Sequence, residues 1–266
     1  MKRKVFDVVT FMDETDLLAL RVLTLHDFVD VFVVGVCNVT FSNKSVDILR
    51  LGAVGVIKQI FDQDRIVTII CGADYPSETT DPWKREEYLR DHVMLNALKL
   101  TNNSDDLFIF TDVDEMPAPH TLKFLLRHEI DSVIGLNMPL YKYHYGCVLS
   151  VDSCAGTVST HALAAQRGGN ELRYMCGQAT HRFRCAGWHC SNCMAIELIQ
   201  HNFFSFSHYN DSNFPDTMKE NGFINTSIST CSHGKAKYTC TEDTHDLPPL
   251  IWTSDFASFR PRPCLR

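Results

Sequence analysis

The chain has 266 residues, of which 45% are hydrophobic, and its formal net charge is -7. A chain of this length can bury a large core, so one large α/β domain or two smaller ones fit it. The negative charge and the scattered lysines and arginines argue against a nucleic-acid groove. No apolar run is long enough for a signal peptide or a bilayer span, so we expect the chain as given to be soluble, either working in the cytosol or lacking an upstream anchor.

Strands and helices are predicted to alternate along the first half of the chain. Short continuous apolar runs indicate buried strands, and apolar residues at helical spacing indicate helices. This alternation predicts an α/β fold with a mostly parallel central sheet flanked by helices. In chain order the predicted elements are strand Val5–Thr10, helix Asp13–Leu25, strand Val29–Val36, strand Ile66–Cys71, helix Trp83–Leu100, strand Leu107–Phe110, helix His120–Glu129 and strand Ser132–Leu140.

The regular pattern breaks up after about residue 140. The second half consists of short aromatic and cysteine-rich pieces, and prolines near the end cannot continue a helix or a central strand. No repeat or low-complexity linker separates the two halves. We therefore expect a single domain over residues 1–250, with a regular half over about 1–140, an irregular cysteine-rich half over about 141–250, and a Pro/Arg-rich tail over 251–266.

Cysteines and glycosylation sequons are both frequent. The chain has 11 cysteines, an odd number that leaves at least one thiol unpaired if the others form disulfides. Each Asn-x-Ser/Thr sequon alone is close to chance, but together with the cysteines they favour a secretory lumen. The sequons begin at Asn38, Asn43, Asn102, Asn210 and Asn225.

The most informative segment is the acidic end of the strand predicted at Leu107–Phe110. Asp112, Asp114 and Glu115 follow this apolar run directly, at the carboxyl end of a strand where open sheets bind ligands. Alternation along an extended chain puts Asp112 and Asp114 on one side, where they could hold Mg²⁺ or Mn²⁺ against a diphosphate. The alternative is a solvated turn closed by Pro117, with Asp112 capping the next helix.

A second group of chemically active residues lies between Cys185 and Cys193. A zinc site is one interpretation, but no second ligand pair has the required spacing, and a redox dithiol normally lies at a helix start after an early strand. A disulfide or plain structural cysteine is the leading interpretation. Trp188 could stack on a sugar or base, and His189 could bind a metal, or both could be satisfied core residues.

These segments together resemble glycosyltransferase family 17. The similarity runs from about Phe6 to Pro249, and its motifs occur in the family's order. They are Phe11–Glu14 with Asp16–Arg21, Asp105–Ala118, and Gly187–Ser191, with weaker support from Val29–Val34, Asn38–Phe41, Glu87–Arg90 and Leu247–Pro249.

The resemblance implies a GT-A-like nucleotide-sugar-binding fold with an acceptor-side second half. It implies UDP-GlcNAc as donor, inverting β-1,4 transfer of N-acetylglucosamine to a mannose of an N-glycan, a divalent metal (Mn²⁺ or Mg²⁺), and a Golgi location through an anchor outside this chain. It gives no oligomeric state, and no nucleic-acid partner is expected.

Roles for individual residues follow from this interpretation. Asp114 would hold the metal, with Asp112 toward the ribose or the metal, and His208 or His189 would be a third ligand. Trp188 would stack on the donor. The nucleotide would be held after the first strand, and a phosphate would face the helix before the acidic strand. The residues expected there are Glu14, Asp16 and Arg90, and the candidate bases that take the acceptor proton are Glu115, Glu197 and Asp152.

Three departures from the family pattern leave alternatives open. Val36 stands where an acidic residue is expected, a basic residue after Lys44 is missing, and the tryptophan expected in the stretch after Tyr145 is absent. Replacing a nucleotide-contacting carboxylate with valine removes a hydrogen bond. The alternatives are therefore an inactive relative that binds carbohydrate, and an unrelated zinc or redox module.

Overall fold

The computed structural model describes residues 3–45, 54–55, 57–58, 63–207, 221–233, 236–240 and 247–261. The first half alternates strands and helices, as the apolar pattern predicts. Its elements are β1 (Val5–Thr10), α1 (Thr15–Leu25), β2 (Val31–Val36), a 3₁₀ turn (Gln63–Arg65), β3 (Ile66–Ile70), α2 (Pro82–Leu98), β4 (Leu107–Asp112), β5 (Glu115–Pro117) and α3 (Pro119–Leu125).

The second half is more regular than the sequence indicates. It contains two long strands that form a hairpin, with Tyr143 at a positive φ of 67° between them. The elements are β6 (Ile134–Lys142), β7 (His144–Thr160), α4 (His161–Ala165), α5 (Gly169–Met175), β8 (His181–Phe183), β9 (Gly187–Ser191), α6 (Ile196–Ser205), α7 (Asn221–Thr230), β10 (Ser232–His233), β11 (Ala236–Lys237), β12 (Thr239–Cys240), and two 3₁₀ helices (Pro249–Trp252 and Ser254–Phe259).

Ten strands form one mixed sheet. The strand order is β3-β2-β1-β4-β7-β6-β9-β5, with β12 beside β7 and β8 beside β6. The four strands β3, β2, β1 and β4 are parallel, whereas β7 is antiparallel to both β4 and β6. The expected mostly parallel sheet therefore holds only for the first half. The β6–β7 hairpin is the cause, because a connection this short joins only antiparallel strands.

The 17-residue strand β7 is the element that the sequence pattern misses. Its middle, around Ser150 to Ser153, is partly exposed and rich in small polar residues, so no apolar run indicates a strand. The pairing with β6 also contains several register shifts, which disturb the period-2 alternation. The predicted boundaries elsewhere differ by a few residues, and the helix expected over His120–Glu129 is Pro119–Leu125.

The core lies on both faces of the parallel strands. Successive residues point to opposite faces, so Val8 packs with α2 on one side while Val9 belongs to the cluster around α1 on the other. The final 3₁₀ helices extend the α1-side cluster through Ile251, Phe256 and Phe259. The segment expected as a tail from residue 251 is therefore packed against the domain as far as these residues.

The described residues contain four disulfides, in agreement with the disulfide interpretation of the cysteines, and three of them close separations of 22 to 84 residues. They are Cys37–Cys71, Cys147–Cys231, Cys154–Cys176 and Cys190–Cys193, and Cys185 is a free, exposed thiol. The Cys190–Cys193 bond leaves neither sulfur as a thiolate, which removes the zinc interpretation of that segment as the structure has it. Within the described residues, none of the helices combines the length and apolar composition that crossing a bilayer requires.

Candidate active site

A cleft opens at the carboxyl ends of the parallel strands. The ends of β1 and β4 are paired there, and Thr10 Oγ1 donates a hydrogen bond to Asp112 Oδ1 at 3.0 Å. The cleft has about 820 Å³ of empty space including its solvent-open mouth. Its lining includes Thr10, Met12, Glu14, Trp83, Glu86, Asp112, Asp114, Lys142, Ser191 and Asn192.

The acidic turn that follows β4 is held by the buried Arg21 of α1. Its guanidinium pairs with both carboxylate oxygens of Asp7, at 2.7 and 2.6 Å. The remaining N–H groups donate to Thr111 Oγ1 and to the backbone carbonyls of Asp112, Val113 and Glu115. Arg21 therefore satisfies three carbonyls of this turn, and it fixes the direction in which the carboxylates project.

Asp112 is clamped by two arginines. Its Oδ2 accepts hydrogen bonds from Arg90 Nη2 at 3.3 Å and from Arg173 Nη2 at 3.2 Å, while Oδ1 accepts from Thr10. Burial alone would raise the pKa of Asp112, but the two guanidiniums outweigh it and hold this pKa well below its usual range. Asp112 is therefore ionised, and both of its oxygens already have partners.

Glu115 lies beneath the cleft. It is 1% exposed, its Oε1 pairs with Arg173 Nη2 at 2.5 Å, and its Oε2 accepts the backbone N–H of Asp112 at 2.9 Å. Burial raises the pKa of Glu115 to about 7, against the opposing charge of Arg173 and with a further contribution from Asp112. The geometry makes Glu115 an internal brace of the turn, and it is absent from the cleft lining among the described residues.

His189 lies beside Asp114, which lines the cleft, but His189 itself is not among the described lining residues. Strand β5 pairs with β9 so that Glu115 lies opposite His189, and His189 Nε2 is 3.5 Å from Asp114 Oδ2. Burial alone would lower the pKa of His189, but Asp114 and Glu115 raise it. The buried His189 Nδ1 has no hydrogen-bond partner and lies 3.7 Å from Glu115 Oε1. An acidic turn and a histidine that are distant in sequence are thus cross-strand neighbours.

Asp114 Oδ2 and His189 Nε2 are close enough to share one cation. Two ligands of one ion, each about 2.1 Å from it, lie roughly 3 Å apart, close to the observed separation. In the described part of the chain, the one group of three potential ligands within mutual reach is His144, Cys147 and Cys231. The latter two form a disulfide, so that group offers no thiolate.

Glu14 and Asp16, both expected at the nucleotide, have different positions. Glu14 lines the cleft, and its Oε2 accepts the backbone N–H groups of Met12 and Asp13 at 3.0 Å each. Burial, together with the nearby charge of Asp114, raises the pKa of Glu14 to about 7. Asp16 is exposed in the first turn of α1 and is absent from the described cleft lining. Arg90 contacts the site by forming ion pairs with Asp112 and Glu86, which both line the cleft.

Three other predicted residues lie elsewhere. Trp188 lines a second cavity with Tyr141 and His120, because it points to the opposite face of β9 from His189. Asp152 accepts a hydrogen bond from Asn137 at 2.8 Å on the β6–β7 hairpin. Glu197 is exposed in the first turn of α6 and is not among the described lining residues of the cleft. His208 lies outside the described residues.

Sequence reasoning missed several residues that build this site. Asp7 interrupts an otherwise apolar strand. A charge in a buried strand indicates a buried partner of opposite charge, and here that partner is Arg21. Arg173 on the short α5 and Lys142 at the end of β6 carry no comparable signal. They reach the site only through the tertiary fold, so neither periodicity nor spacing identifies them.

Comparisons with known proteins agree with the motifs at this site. The family model described as glycosyltransferase family 17 matches residues 1–233. The β-1,4-mannosyl-glycoprotein 4-β-N-acetylglucosaminyltransferase of Mus musculus is 25% identical over 247 residues, covering 80% of this chain and 44% of the relative. The Homo sapiens protein of the same name is 24% identical over 249 residues, with the same coverage. The chain spans less than half the length of these curated relatives. Since the family model covers most of the chain, the chain belongs to glycosyltransferase family 17.

Proposed function

We propose that this chain is a hexosyltransferase that transfers N-acetylglucosamine from UDP-GlcNAc to a mannose of an N-glycan, in a β-1,4 linkage with inversion. Membership of glycosyltransferase family 17 and the names of its relatives support the reaction class. The observation that carries the proposal is the position of Asp112 and Asp114, at the carboxyl end of a parallel strand and in the wall of a cleft. Nucleotide ligands bind at that edge of open α/β sheets.

The architecture around the cleft supports a GT-A-like arrangement. The parallel order β3-β2-β1-β4 places the ends of β1 and β4 side by side, with the acidic turn directly after β4. Glu14, in the connection after β1, and Arg90, on the helix before β4, stand where the nucleotide and its phosphates would lie. Asp16 would contribute from the exposed side of the same connection. Trp188 would contact the sugar part of a ligand only from the second cavity.

Asp114 and His189 would hold the divalent metal, Mn²⁺ or Mg²⁺. They fit because one carboxylate oxygen and one imidazole nitrogen approach each other beside the cleft that Asp114 lines, while Asp112 is occupied by Arg90 and Arg173. Mg²⁺ sites often use one or two protein ligands together with water and substrate phosphates. A metal bound there would neutralise the charge that develops on the departing diphosphate. Asp112 would then position the metal-binding turn rather than bind the ion.

In the transfer, the acceptor hydroxyl oxygen forms a bond to C1 of N-acetylglucosamine as the bond from C1 to the diphosphate oxygen breaks. The bonding electron pair leaves with UDP, and the hydroxyl proton passes to a carboxylate on the acceptor side. Of the predicted bases, Glu115 is closest to the acidic turn, but Arg173 and the Asp112 N–H occupy its oxygens. Glu197 and Asp152 would require the acceptor to approach from α6 or from the β6–β7 hairpin.

An inactive relative that binds carbohydrate is the second candidate. The observation in its favour is Val36, which is 1% exposed at the end of β2 and offers no polar side chain where a carboxylate is expected. Intact Asp112 and Asp114 favour the active enzyme. An active enzyme in this role would work in the Golgi lumen, and the four disulfides support an oxidising compartment.

The test is transfer to a defined N-glycan with terminal and core mannose, followed by mass spectrometry. The proposal predicts a product heavier by one N-acetylhexosamine with UDP-GlcNAc and none with other UDP-sugars. Glycosidase digestion then checks the β linkage. Glycan binding without a product from any donor would support the carbohydrate-binding relative instead.

A further inference from the structure

The cations around the cleft are not equivalent. Arg21, Arg90 and Arg173 each pair with at least one carboxylate of the site or its support, so their charges are already matched. Lys142 differs from them. Among the residues that the structure describes around the cleft, it is the one Lys or Arg in the lining itself, and its hydrogen bond goes to a neutral hydroxyl. The ammonium of Lys142 is therefore the positive charge presented to a ligand in the cleft.

The position of Lys142 is fixed by the strands that flank it. It is the last residue of β6, where β6 pairs with β9 and Lys142 lies opposite Ser191. Its Nζ donates to Ser191 Oγ at 3.2 Å and lies 5.7 Å from the centre of the Tyr143 ring. Ser191 also lines the cleft. The side chain is thus held in place before a ligand arrives, which lowers the entropy lost on binding.

Lys142 lies across the cleft from the acidic turn. Strand β9 separates the two, since β5 pairs with one edge of β9 and β6 with the other. Two strand spacings put the backbones of Asp114 and Lys142 roughly 10 Å apart. A diphosphate fits in that interval, with one side toward the Asp114 and His189 pair and the other toward an ammonium.

We propose that Lys142, held by Ser191, binds the diphosphate of the donor on the side of the cleft opposite Asp114. This inference rests on the proposed function, and it names the residue that receives the leaving phosphate charge in addition to the metal pair. The partly buried ammonium of Lys142 forms no ion pair among the described residues, so it gains a counterion when a phosphate binds. Consistent with this environment, burial lowers the pKa of Lys142 to about 8, with Asp114 opposing the shift, so the group remains mostly protonated at neutral pH.

The test compares UDP with uridine, which has the same nucleoside and no phosphate. Dissociation constants are measured by isothermal titration calorimetry at fixed Mg²⁺ for the wild type, Lys142→Met and Lys123→Met. Methionine keeps the length of the lysine side chain without its charge, and Lys123 is an exposed lysine on α3. We expect Lys142→Met to weaken UDP binding about tenfold or more while uridine binding changes little. Lys123→Met should leave both unchanged.

The outcomes separate this inference from the proposed function. Equal UDP affinity in the wild type and Lys142→Met would overturn the role of Lys142 and leave the transferase proposal standing. Equal losses for UDP and uridine in Lys142→Met would also overturn it, because they would indicate a disturbed fold rather than a lost phosphate contact. A wild-type protein that binds neither ligand would overturn both proposals.

Discussion

Glu115 and His189 lie directly opposite each other in the antiparallel pair formed by β5 and β9. The register of this pair brings together the two motifs that are most informative in the sequence. It also places the neighbouring Asp114 within 3.5 Å of His189 Nε2. The acidic turn is therefore fixed from two directions, by β9 on one side and by the guanidinium of Arg21 on the other.

Removing Arg21 should destabilise the whole fold. In Arg21→Met, the 1% exposed Asp7 would keep a buried charge with no partner, and three carbonyls of the acidic turn would lose their donor. We expect the free energy of unfolding to fall by about 3–5 kcal/mol in urea titrations. The exposed Arg127 provides the control, because Arg127→Met should change the free energy of unfolding by no more than about 0.5 kcal/mol.

The double variant Asp7→Asn, Arg21→Met tests the cause of that loss. It removes the uncompensated charge as well as the guanidinium, so its destabilisation should be smaller than the sum of the two single effects. Simple additivity of the two substitutions would show that the ion pair is not what couples them.

Glu14 should make the protein less stable as the pH rises. Its pKa is about 7 in the folded chain against an ordinary value of 4.5, so the folded state binds the proton more tightly. The resulting stabilisation is full below about pH 4.5 and is lost as the pH rises through 7. Glu14→Gln should therefore exceed the wild type in stability by about 1–3 kcal/mol at pH 8, allowing for partial exposure, and match it near pH 4.5.

Urea titrations at a series of pH values measure this difference. The matched control is Asp16→Asn, since Asp16 is an exposed carboxylate two residues further along the chain, in the first turn of α1. If the stability curves of Glu14→Gln and the wild type stay parallel between pH 4.5 and 8, the assignment of a raised pKa to Glu14 is wrong.

The disulfides should contribute unequally to stability. Cys147–Cys231 closes a separation of 84 residues and Cys190–Cys193 one of 3, and the chain-entropy model gives about 4–5 and about 2 kcal/mol respectively. Replacing each pair with alanines and measuring urea unfolding checks this order. The Cys190–Cys193 disulfide encloses Ser191 and Asn192, which both line the cleft. Its loss should therefore weaken UDP binding while it lowers the free energy of unfolding less than the loss of Cys147–Cys231 does. The reverse order of stability would contradict the prediction.

The first half of the fold could be predicted because its elements have strong local patterns. Strands β1, β2 and β4 are apolar runs buried on both faces, and β3 is a partly buried apolar run at the sheet edge. The helices between the strands have apolar residues at helical spacing, as in α1 with Leu17, Leu18 and Leu25. The ligand-binding edge follows from the same pattern, because a parallel strand that ends in Asp112 and Asp114 places them at the sheet's carboxyl edge.

The second half and the support of the site could not be predicted in this way. Strand β7 has no apolar run, and β5 and β9 are three and five residues long, too short for periodicity to identify. Arg173 and Lys142 carry charges whose partners lie on distant elements. The pairing of the cysteines depends equally on the tertiary fold, since many connectivities are compatible with one sequence.

The most direct test of the account is the rate of UDP release from UDP-GlcNAc in the presence of acceptor, for the wild type and Asp114→Ala, with Mn²⁺ added or chelated. We predict turnover by the wild type that requires the metal and that Asp114→Ala abolishes. Asp131→Ala is the control that keeps turnover, because Asp131 is exposed and is absent from the described cleft lining. Turnover that is indifferent to both the chelator and the substitution would contradict the assignment of the acidic turn as the metal and diphosphate site.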